Sequence, residues 1–390
     1  MIDFEQYIKQ NEPEKQERVY AWQTAIGLPA VDGLKTSDYL KDTACKHIEG
    51  DITIDEAREL IKSYYLSKSN REPDEDEMRE ADTVAANITK ILSTRTLDFS
   101  TNGYVSLHRR IFDGVFKFAG RIRDYDITKR EWVLDGDTVN YLNWEDLRRA
   151  IDYDIEQERN FSYIGLSSDD IIKHITRFVS NLWQIHAFGE GNTRTTAVFT
   201  IQYLRSIGFD VSNNLFANHS WYFRNALVRA NYKNVQKGID YTPVYLERFF
   251  RNLLLGDGWE LRNRYLHINA SGEWSGQPNM SNASTGQVQD KYRTSAGQAE
   301  NRVCSISPDL ERLVKALGQN QLSTKAIMEK MQLKGRDNFL NLYLNPAIES
   351  GLVTLLYPDK PRHSRQRYFL TVKGLALLDS LIKKESILNR

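Results

Sequence analysis

The sequence has few cysteines and no net charge. Its 390 residues include two cysteines, and 52 basic residues balance 52 acidic ones. Cys45 and Cys304 lie far apart in the chain, which argues against a disulfide framework and against a cysteine-based zinc site. A net charge of zero provides no global field that would attract nucleic acid or a membrane. Any basic patch must therefore be local.

Long apolar runs are also missing. No run approaches the roughly 20 residues that a membrane-spanning helix needs. The first five residues lack the basic and apolar regions of a signal peptide. We therefore expect a soluble, cytoplasmic protein without a membrane partner. The chain is long enough for two or three domains with a sizeable core.

Composition and apolar spacing divide the chain into four predicted regions. Residues 1–68 form a short helical region with one helix predicted from Thr53 onward. Residues 69–266 are mostly long helical segments. Residues 267–303, rich in Ser, Asn, Gly, Gln and Thr, are a predicted flexible linker. Residues 304–390 show three helices and two strands around a basic turn, which predicts a winged helix.

One segment of the central region interrupts the helical pattern. Residues 124–136 contain two short runs that end in an Asp-Gly turn signal. This pattern predicts a β-hairpin or flap, which includes Glu131, Trp132 and Val133. The predicted fold class is therefore mainly α, a helical bundle with a β-hairpin flap and a C-terminal winged helix.

The run from His186 to Arg194, His-Ala-Phe-Gly-Glu-Gly-Asn-Thr-Arg, contains the residue types that phosphate chemistry needs. A glycine-flexible loop can turn its N–H groups toward an anion, and a following helix offers its positive end. A carboxylate can hold Mg²⁺, whose preferred ligands are oxygens. A histidine with a pKa near neutrality can take a proton from an attacking hydroxyl.

Helical patterns flank this run. Ser167 or Ser168 is predicted to cap the preceding helix, whose apolar residues share one face. These residues are Ile171, Ile175, Val179 and Leu182. His186 then lies at the C-terminal end of a buried helix, and a second helix is predicted to start near Thr193.

The same run resembles the signature of the Fic (Fido) family, His-Pro-Phe-x-Asp/Glu-Gly-Asn-Gly-Arg-x-x-Arg. The segments 107–112, 118–123 and 225–232 are also similar to parts of that family, so the resemblance covers about residues 100–260. In the family's usual reaction, a Ser, Thr or Tyr hydroxyl of a protein attacks the α-phosphate of ATP. AMP is thereby attached to the hydroxyl oxygen, and pyrophosphate is released. A C-terminal winged helix is a common companion of the domain.

The resemblance implies a role for each residue of the motif. His186 would be the general base for the hydroxyl of the protein target, and Glu190 would bind Mg²⁺ on the phosphates of ATP. The implied phosphate-binding residues are Gly189, Gly191, Asn192, Thr193 and Arg194. The flap residues Glu131, Trp132 and Val133 would pair with the target segment as an added strand.

Two departures from the signature leave the donor open. Thr193 replaces a glycine, and a β-branched residue resists positive φ, so this position must be α- or β-like. Ala197 replaces the second arginine, which in the family pairs with the γ-phosphate or with an inhibitory glutamate. One alternative is therefore a transferase of the same fold with another nucleotide or phosphate donor. The other is a nucleotide-sensing, DNA-binding regulator without transferase activity.

The N-terminal region resembles the small antitoxin that accompanies many Fic proteins. The inhibitory signature is Ser/Thr-x-x-x-Glu-Gly/Asn, and the chain has no perfect copy of it. The preferred candidate is the segment 28–33, in which Asp32 replaces the glutamate. The segment 45–50, with Glu49 intact, is a second candidate. Since Ala197 removes the usual arginine partner, we expect a structural remnant or a weaker regulator.

The predicted wing carries several cations. They are Lys360, Arg362, His363, Arg365 and Arg367. They form either an ordinary solvated turn or a surface that binds a nucleic-acid backbone or a protein. The sequence leaves the oligomeric state open, with a homodimer among the alternatives.

Overall fold

The computed structural model is mainly helical, as the sequence predicts. It describes residues 12–67, 74–94, 96–163, 166–209, 211, 214–270, 307–318, 320–333, 335–356, 366–371, 374–375, 377–378 and 381–382. Within these residues, no helix is long and apolar enough to cross a bilayer. The predicted linker, residues 267–303, falls outside the described residues except at its first four positions.

Helices make up the N-terminal and central regions. They are α1 (Pro13–Gly27), α2 (Asp38–Glu49), α3 (Ile54–Ser67), α4 (Glu75–Leu92), α5 (Thr101–Ile111), α6 (Leu147–Asn160), α7 (Ser168–Ile185), α8 (Asn192–Ser206), α9 (Leu215–Asn218), α10 (Ser220–Ala230) and α11 (Val244–Leu255). Short 3-10 turns occur at Leu28–Asp32, Trp132–Leu134, Trp144–Asp146 and Asn263–Tyr265.

The N-terminal helices share one apolar core with the central region. Trp22 of α1, Ile48 of α2 and Ile61 of α3 belong to the same buried cluster as Phe188 and Phe199 beside the predicted site. Each of these side chains is almost completely buried. Removing the first 68 residues would therefore expose the core that supports the site.

Helices α7 and α8 flank the His186–Arg194 run as predicted. The hydroxyl of Ser167 accepts a hydrogen bond from the backbone N–H of Asp170 and caps α7. The four apolar residues predicted for its inner face are buried. Helix α8 starts directly after Gly191, whose φ of 78° lies in the left-handed region. The chain thus reverses within a few residues between two buried helices.

The flap predicted for residues 124–136 contains no paired strands, which corrects the hairpin prediction. Trp132–Leu134 form a 3-10 turn instead, and the backbone N–H of Glu131 bonds to the carbonyl of Asp137 to close it. Val133 and Leu134 are both buried. Consecutive buried residues are incompatible with the alternation of a half-exposed strand. The segment therefore turns into the core instead of pairing along its length.

The C-terminal region has its own apolar core and the predicted order of elements. It contains α12 (Pro308–Leu317), α13 (Thr324–Lys330), α14 (Arg336–Phe339), a π-helical turn (Leu340–Leu344), α15 (Asn345–Glu349), β1 (Val353–Leu355) and β2 (Tyr368–Leu370). The two strands are antiparallel, with Val353 opposite Leu370 and Leu355 opposite Tyr368. This small hairpin agrees with the two strands expected there, and the winged-helix assignment stays an interpretation of the pattern.

A buried histidine couples the N-terminal helices to pH. The indole N–H of Trp22 donates to Nδ1 of His47, 2.9 Å away. Burial, aided by the charge of Arg18, lowers the pKa of His47 from 6.5 to about 4. Between these values the unfolded chain binds a proton that the native chain does not bind. The free energy of unfolding should therefore have its full contribution from His47 above pH 6.5 and should fall as the pH drops toward 4.

The substitution His47→Phe tests this coupling. At neutral pH it should lower the free energy of unfolding by about 1–3 kcal/mol, because the Trp22 N–H is left without an acceptor. Urea unfolding at several pH values should show a slope below pH 6.5 reduced by up to about 1.4 kcal/mol per pH unit. The difference between wild type and variant should be constant above pH 7. An unchanged acid slope would contradict the assignment.

Candidate active site

The predicted base, His186, ends helix α7 in a left-handed conformation. Its φ is 50° and its N–H bonds to the carbonyl of Trp183. Arg123 holds this turn from the other side. Its Nε donates to the carbonyl of His186 at 2.8 Å, and its backbone N–H donates to the carbonyl of Ala187 at 2.9 Å. The turn directs the histidine ring away from the helix axis and starts the loop.

Arg123 also bonds to the start of the flap segment and to a residue that follows its end. Its Nη1 donates to the carbonyl of Tyr125 and its Nη2 to the carbonyl of Leu142. The guanidinium is completely buried, and backbone carbonyls accept its hydrogen bonds. One side chain therefore fixes the histidine turn relative to the flap. In the sequence, Arg123 ends the segment 118–123, which resembles part of the Fic family, and the sequence alone predicts no function for it.

The imidazole of His186 lies in an aromatic niche. Its ring centroid is 4.2 Å from that of Tyr141 and 5.2 Å from that of Trp183, and the residue is only 3% exposed. Neither ring nitrogen has a hydrogen-bond partner in the structure. Burial, with the nearby charge of Lys129 as the next cause, holds the pKa of His186 well below its usual value. The ring is therefore neutral near pH 7, with a lone pair available to accept a proton.

A buried ion pair supports this niche. Glu131 is almost completely buried, and its carboxylate pairs with Arg224 of α10 at 3.0 Å. The hydroxyl of Tyr141 donates to the same carboxylate at 3.2 Å. The Tyr141 ring thus reaches His186 in a fixed orientation. Sequence reasoning assigned no function to Tyr141 or Arg224, which lie 45 and 38 residues from His186.

The flap residues predicted to dock a target have different environments. Trp132 is half exposed, with its ring centroid 5.1 Å from that of His267. Glu131 and Val133 are buried. Glu131 contacts the niche around the histidine, and the carbonyl of Val133 accepts a hydrogen bond from Ile268. Of these three residues, only the indole of Trp132 is presented to solvent.

Asn192 closes the loop between the two helices. Its amide donates to the carbonyl of Phe188 and its side-chain oxygen accepts from the N–H of the same residue, at 2.7 and 2.9 Å. Gly191 tolerates no side chain, because a Cβ there would lie 2.1 Å from the ring of Phe112. The amide of Asn192 therefore holds the shape of the loop, in addition to the phosphate contact that the resemblance implies.

His108 of α5 also contacts this loop. Its Nδ1 accepts from the N–H of Gly120 at 2.8 Å, and its Nε2 lies 3.0 Å from the carbonyl oxygen of Glu190. The first bond makes Nδ1 an acceptor, so Nε2 carries the proton and donates to Glu190. The ring stacks on Phe188 at 3.8 Å. His108 is a second positioning residue to which sequence reasoning assigned no role.

Glu190, the predicted metal ligand, is the partly exposed carboxylate of the loop. Its Oε2 lies 3.2 Å from Nζ of Lys129, and its Oε1 accepts from the N–H of Gly191. Burial would raise the pKa of Glu190, but Lys129 and the Gly191 bond outweigh burial and lower it. The carboxylate is therefore charged near neutral pH.

The surroundings of Glu190 allow one mode of Mg²⁺ binding. Within the described residues, no three His, Cys, Asp or Glu side chains are grouped so that they could enclose a metal ion. Mg²⁺ commonly keeps several waters and binds through one or two carboxylates plus substrate phosphates. A single charged and accessible carboxylate beside a loop of backbone amides fits that mode and does not fit a closed metal cage.

Arg194, at the start of α8, is buried between two carboxylates. Its Nε lies 2.7 Å from Oδ2 of Asp32, and its Nη2 donates to Oε1 of Glu80 at 2.9 Å. The guanidinium also stacks on Phe112, 4.7 Å from the ring centroid. Its Nη1 has no hydrogen-bond partner. No pattern in the sequence indicates the contact of Glu80, which lies 114 residues before Arg194.

The two residues that depart from the signature lie inside α8. Thr193 is helical, as its β-branch requires, and its hydroxyl accepts from the indole of Trp183 at 3.0 Å. This bond fixes the orientation of the indole beside His186. Ala197 is completely buried. Helix α8 thus places no second arginine at that position.

Much of the predicted wing lies outside the described residues. Lys360, Arg362, His363 and Arg365 belong to that part, while Arg367 is described and donates to the carbonyl of Gln321. Binding of nucleic acid or protein at the wing therefore stays a prediction from the sequence.

A neutral histidine, a glycine loop and a buried arginine at a helix start lie together between α7 and α8. Residues 98–204 match the model of the Fic/DOC family, and residues 308–371 match the model Filamentation induced by cAMP protein Fic-like, C-terminal domain. These matches support membership of the chain in the Fic family, with its Fic/DOC domain around the site. Proteins of this family generally transfer nucleotide or other phosphate-containing groups to proteins.

One solved structure is also similar to the chain. It is the crystal structure of a Fic family protein from Desulfovibrio desulfuricans G20, with 15% identity and a TM-score of 0.39. The similarity covers 95% of this chain and 91% of that one. Among curated proteins, none matches the chain.

The substitution Arg123→Lys should destabilise the site, because one ammonium cannot reach three carbonyls as the planar guanidinium does. We expect the free energy of unfolding in urea to fall by about 2–4 kcal/mol, as buried carbonyls lose charged donors. Arg121→Lys, on an exposed side chain two residues earlier, is the matched control and should change it by less than about 0.5 kcal/mol. Equal stability of the two variants would contradict the role of Arg123.

Proposed function

We propose that the protein transfers AMP from ATP to a Ser, Thr or Tyr hydroxyl of a protein target. The observation that carries the proposal is the buried, neutral imidazole of His186 with both nitrogens unpaired, beside a glycine loop at the start of α8. A base that is already neutral can accept a proton from a hydroxyl near pH 7.

The proposed reaction is an in-line displacement at the α-phosphate. The target hydroxyl gives its proton to His186, and its oxygen forms a bond to the α-phosphorus. The bond from that phosphorus to the bridging oxygen breaks, and pyrophosphate leaves. Glu190 would hold Mg²⁺, which supplies positive charge to the phosphates when bound. The unpaired Nη1 of Arg194 and the N–H groups at the start of α8 would donate to phosphate oxygens.

The alanine at position 197 leaves open which nucleotide or phosphate compound is the donor of the transferred group. Because position 197 is alanine, the first two turns of α8 contain one cationic side chain, that of Arg194. A transferase with a different nucleotide or phosphate donor is therefore the alternative. Incubation with ATP labelled at the α- or the γ-phosphate separates AMP transfer from phosphorylation, and labelled GTP, CTP and UTP test other nucleotides.

The substitution His186→Ala tests the base. We expect transfer to fall by about 10² to 10⁴-fold, because that is the typical contribution of a positioned base. The measurement is intact-mass analysis of the full chain with Mg-ATP and candidate targets, together with calorimetric binding of ATP as a control. Nucleotide binding should persist in the variant. Equal modification by wild type and variant would refute the assignment of His186.

We also propose that Asp32 restrains the site. Its carboxylate pairs with Arg194, whereas the inhibitory glutamate of the family would pair with the arginine that Ala197 replaces. Partial burial raises the pKa of Asp32, and the charge of Arg194 opposes this shift. The contact supports a weak regulatory role: a phosphate group would compete with Asp32 for Arg194.

The substitution Asp32→Ala should increase nucleotide affinity by about three- to ten-fold, since one of two anions that compete for Arg194 is removed. Isothermal titration calorimetry with ATP and Mg²⁺ is the measurement. Asp51→Ala, at an exposed aspartate of the same region, is the matched control and should have no effect. Unchanged affinity in Asp32→Ala would leave Asp32 as a structural residue only. Deletion of residues 1–68 is the weaker test because it opens the core.

A further inference from the structure

Lys129 connects the flap segment to the loop that carries Glu190. Its Nζ lies 3.2 Å from Oε2 and 3.5 Å from Oε1 of that carboxylate. The lysine side chain is 27% exposed and the glutamate side chain 40% exposed, so both are accessible to a ligand. The ammonium therefore occupies the open side of the carboxylate to which the proposed function assigns the metal.

Two other cations beside the site pair with carboxylates. Arg194 contacts Asp32 and Glu80, and Arg224 pairs with Glu131. Both guanidinium groups are mostly buried. Lys129 differs from them because its partner is the exposed Glu190 and because its side chain is flexible. A lysine ammonium is a compact charge on a four-carbon stem with three donors, so it can change partners at low cost.

The alanine at position 197 explains why the site would need a further cation to bind phosphates. Ala197 is buried and contributes no charge, so α8 leaves part of the phosphate charge uncompensated. Lys129 approaches the same loop from the flap side. Its field also reaches Asp32 and Glu131, where burial raises the pKa of each carboxyl and the charge of Lys129 opposes that rise. Phosphates held by this loop would lie within the reach of Lys129.

We propose that Lys129 is a phosphate-binding residue that exchanges partners when the nucleotide binds. This inference rests on the proposed function. In the free protein its ammonium pairs with Glu190 and disfavours a metal ion there. With nucleotide and Mg²⁺ present, Lys129 leaves the carboxylate to the metal and pairs with a phosphate oxygen. It thereby supplies the positive charge that position 197 lacks.

Two effects of opposite sign distinguish this exchange from a simple structural contact. Removing the charge in Lys129→Gln should strengthen binding of a divalent ion alone, because the competing cation at Glu190 is lost. The same change should weaken nucleotide binding by about ten-fold or more, because a charge-assisted hydrogen bond to phosphate is lost. A lysine that served only to hold the flap would produce no increase in metal binding.

The experiment uses the full chain as wild type, Lys129→Gln, Lys129→Arg and Arg130→Gln. Arg130 is the exposed neighbouring cation, so its substitution removes the same charge from the same segment. Mn²⁺ alone is titrated by electron paramagnetic resonance, and α,β-methylene-ATP with Mg²⁺ is titrated by calorimetry. We expect tighter Mn²⁺ binding and weaker analogue binding only in Lys129→Gln, and analogue binding retained in Lys129→Arg.

Two results would overturn the inference in different ways. If Lys129→Gln and Arg130→Gln bind the analogue equally well, Lys129 is not a phosphate ligand, while the proposed function is unaffected. If the wild type binds none of the analogue, the proposed function fails and the inference fails with it. Unchanged Mn²⁺ affinity in Lys129→Gln would overturn the exchange of partners.

Discussion

The site depends on the hydrogen bonds that one buried guanidinium makes to backbone carbonyls. Arg123 bonds to the carbonyls of His186, Tyr125 and Leu142, so it joins the end of α7 to the start of the flap segment and to the residues that follow it. Backbone carbonyl oxygens accept its hydrogen bonds, and the carboxylate of Asp126, 3.7 Å from Nη1, supplies a nearby negative charge. Because the hydrogen-bond acceptors belong to the backbone, the side chains at positions 125, 142 and 186 do not provide them.

Around this fixed turn, charged side chains form pairs in which one partner is buried more deeply than the other. Arg224 pairs with Glu131, and Lys129 pairs with Glu190. Arg194 contacts both Asp32 and Glu80. The Glu131 pair is deeply buried and orients the hydroxyl of Tyr141, which suits a structural role. Both side chains of the Glu190 pair are partly exposed, so this pair can separate at smaller cost. His186 has no such partner, so its basicity is set mainly by burial and by the field of neighbouring cations.

The sequence predicted those parts of the site that depend on local order. The spacing of Ile171, Ile175, Val179 and Leu182 predicted α7, and the glycines predicted the loop and the start of α8. The segment 28–33 was selected for its resemblance to the inhibitory signature, and the carboxylate of its Asp32 lies 2.7 Å from Nε of Arg194. Contacts between distant segments could not be found in this way. Tyr141, Glu80 and His108 reach the loop only through tertiary packing, and no pattern in their own segments indicates it.

The flap shows why the prediction failed there. A polar and apolar run before an Asp-Gly pair is typical of a hairpin. Glu131 pairs with Arg224, 93 residues later, and the apolar side chains of Val133 and Leu134 are buried in the core. These tertiary contacts outweigh the strand preference of the segment.

The backbone conformation of His186 has a consequence for the choice of residue at this position. A helix that ends in the left-handed region is most stable with glycine at that position, and other residues cost about 1–2 kcal/mol there. Arg123 makes this conformation tolerable for a histidine. A glycine at position 186 would relieve the backbone and remove the imidazole at the same time. An imidazole at this turn therefore carries a cost in backbone free energy, which its packing against Tyr141 and Trp183, or its use in the proposed reaction, must offset.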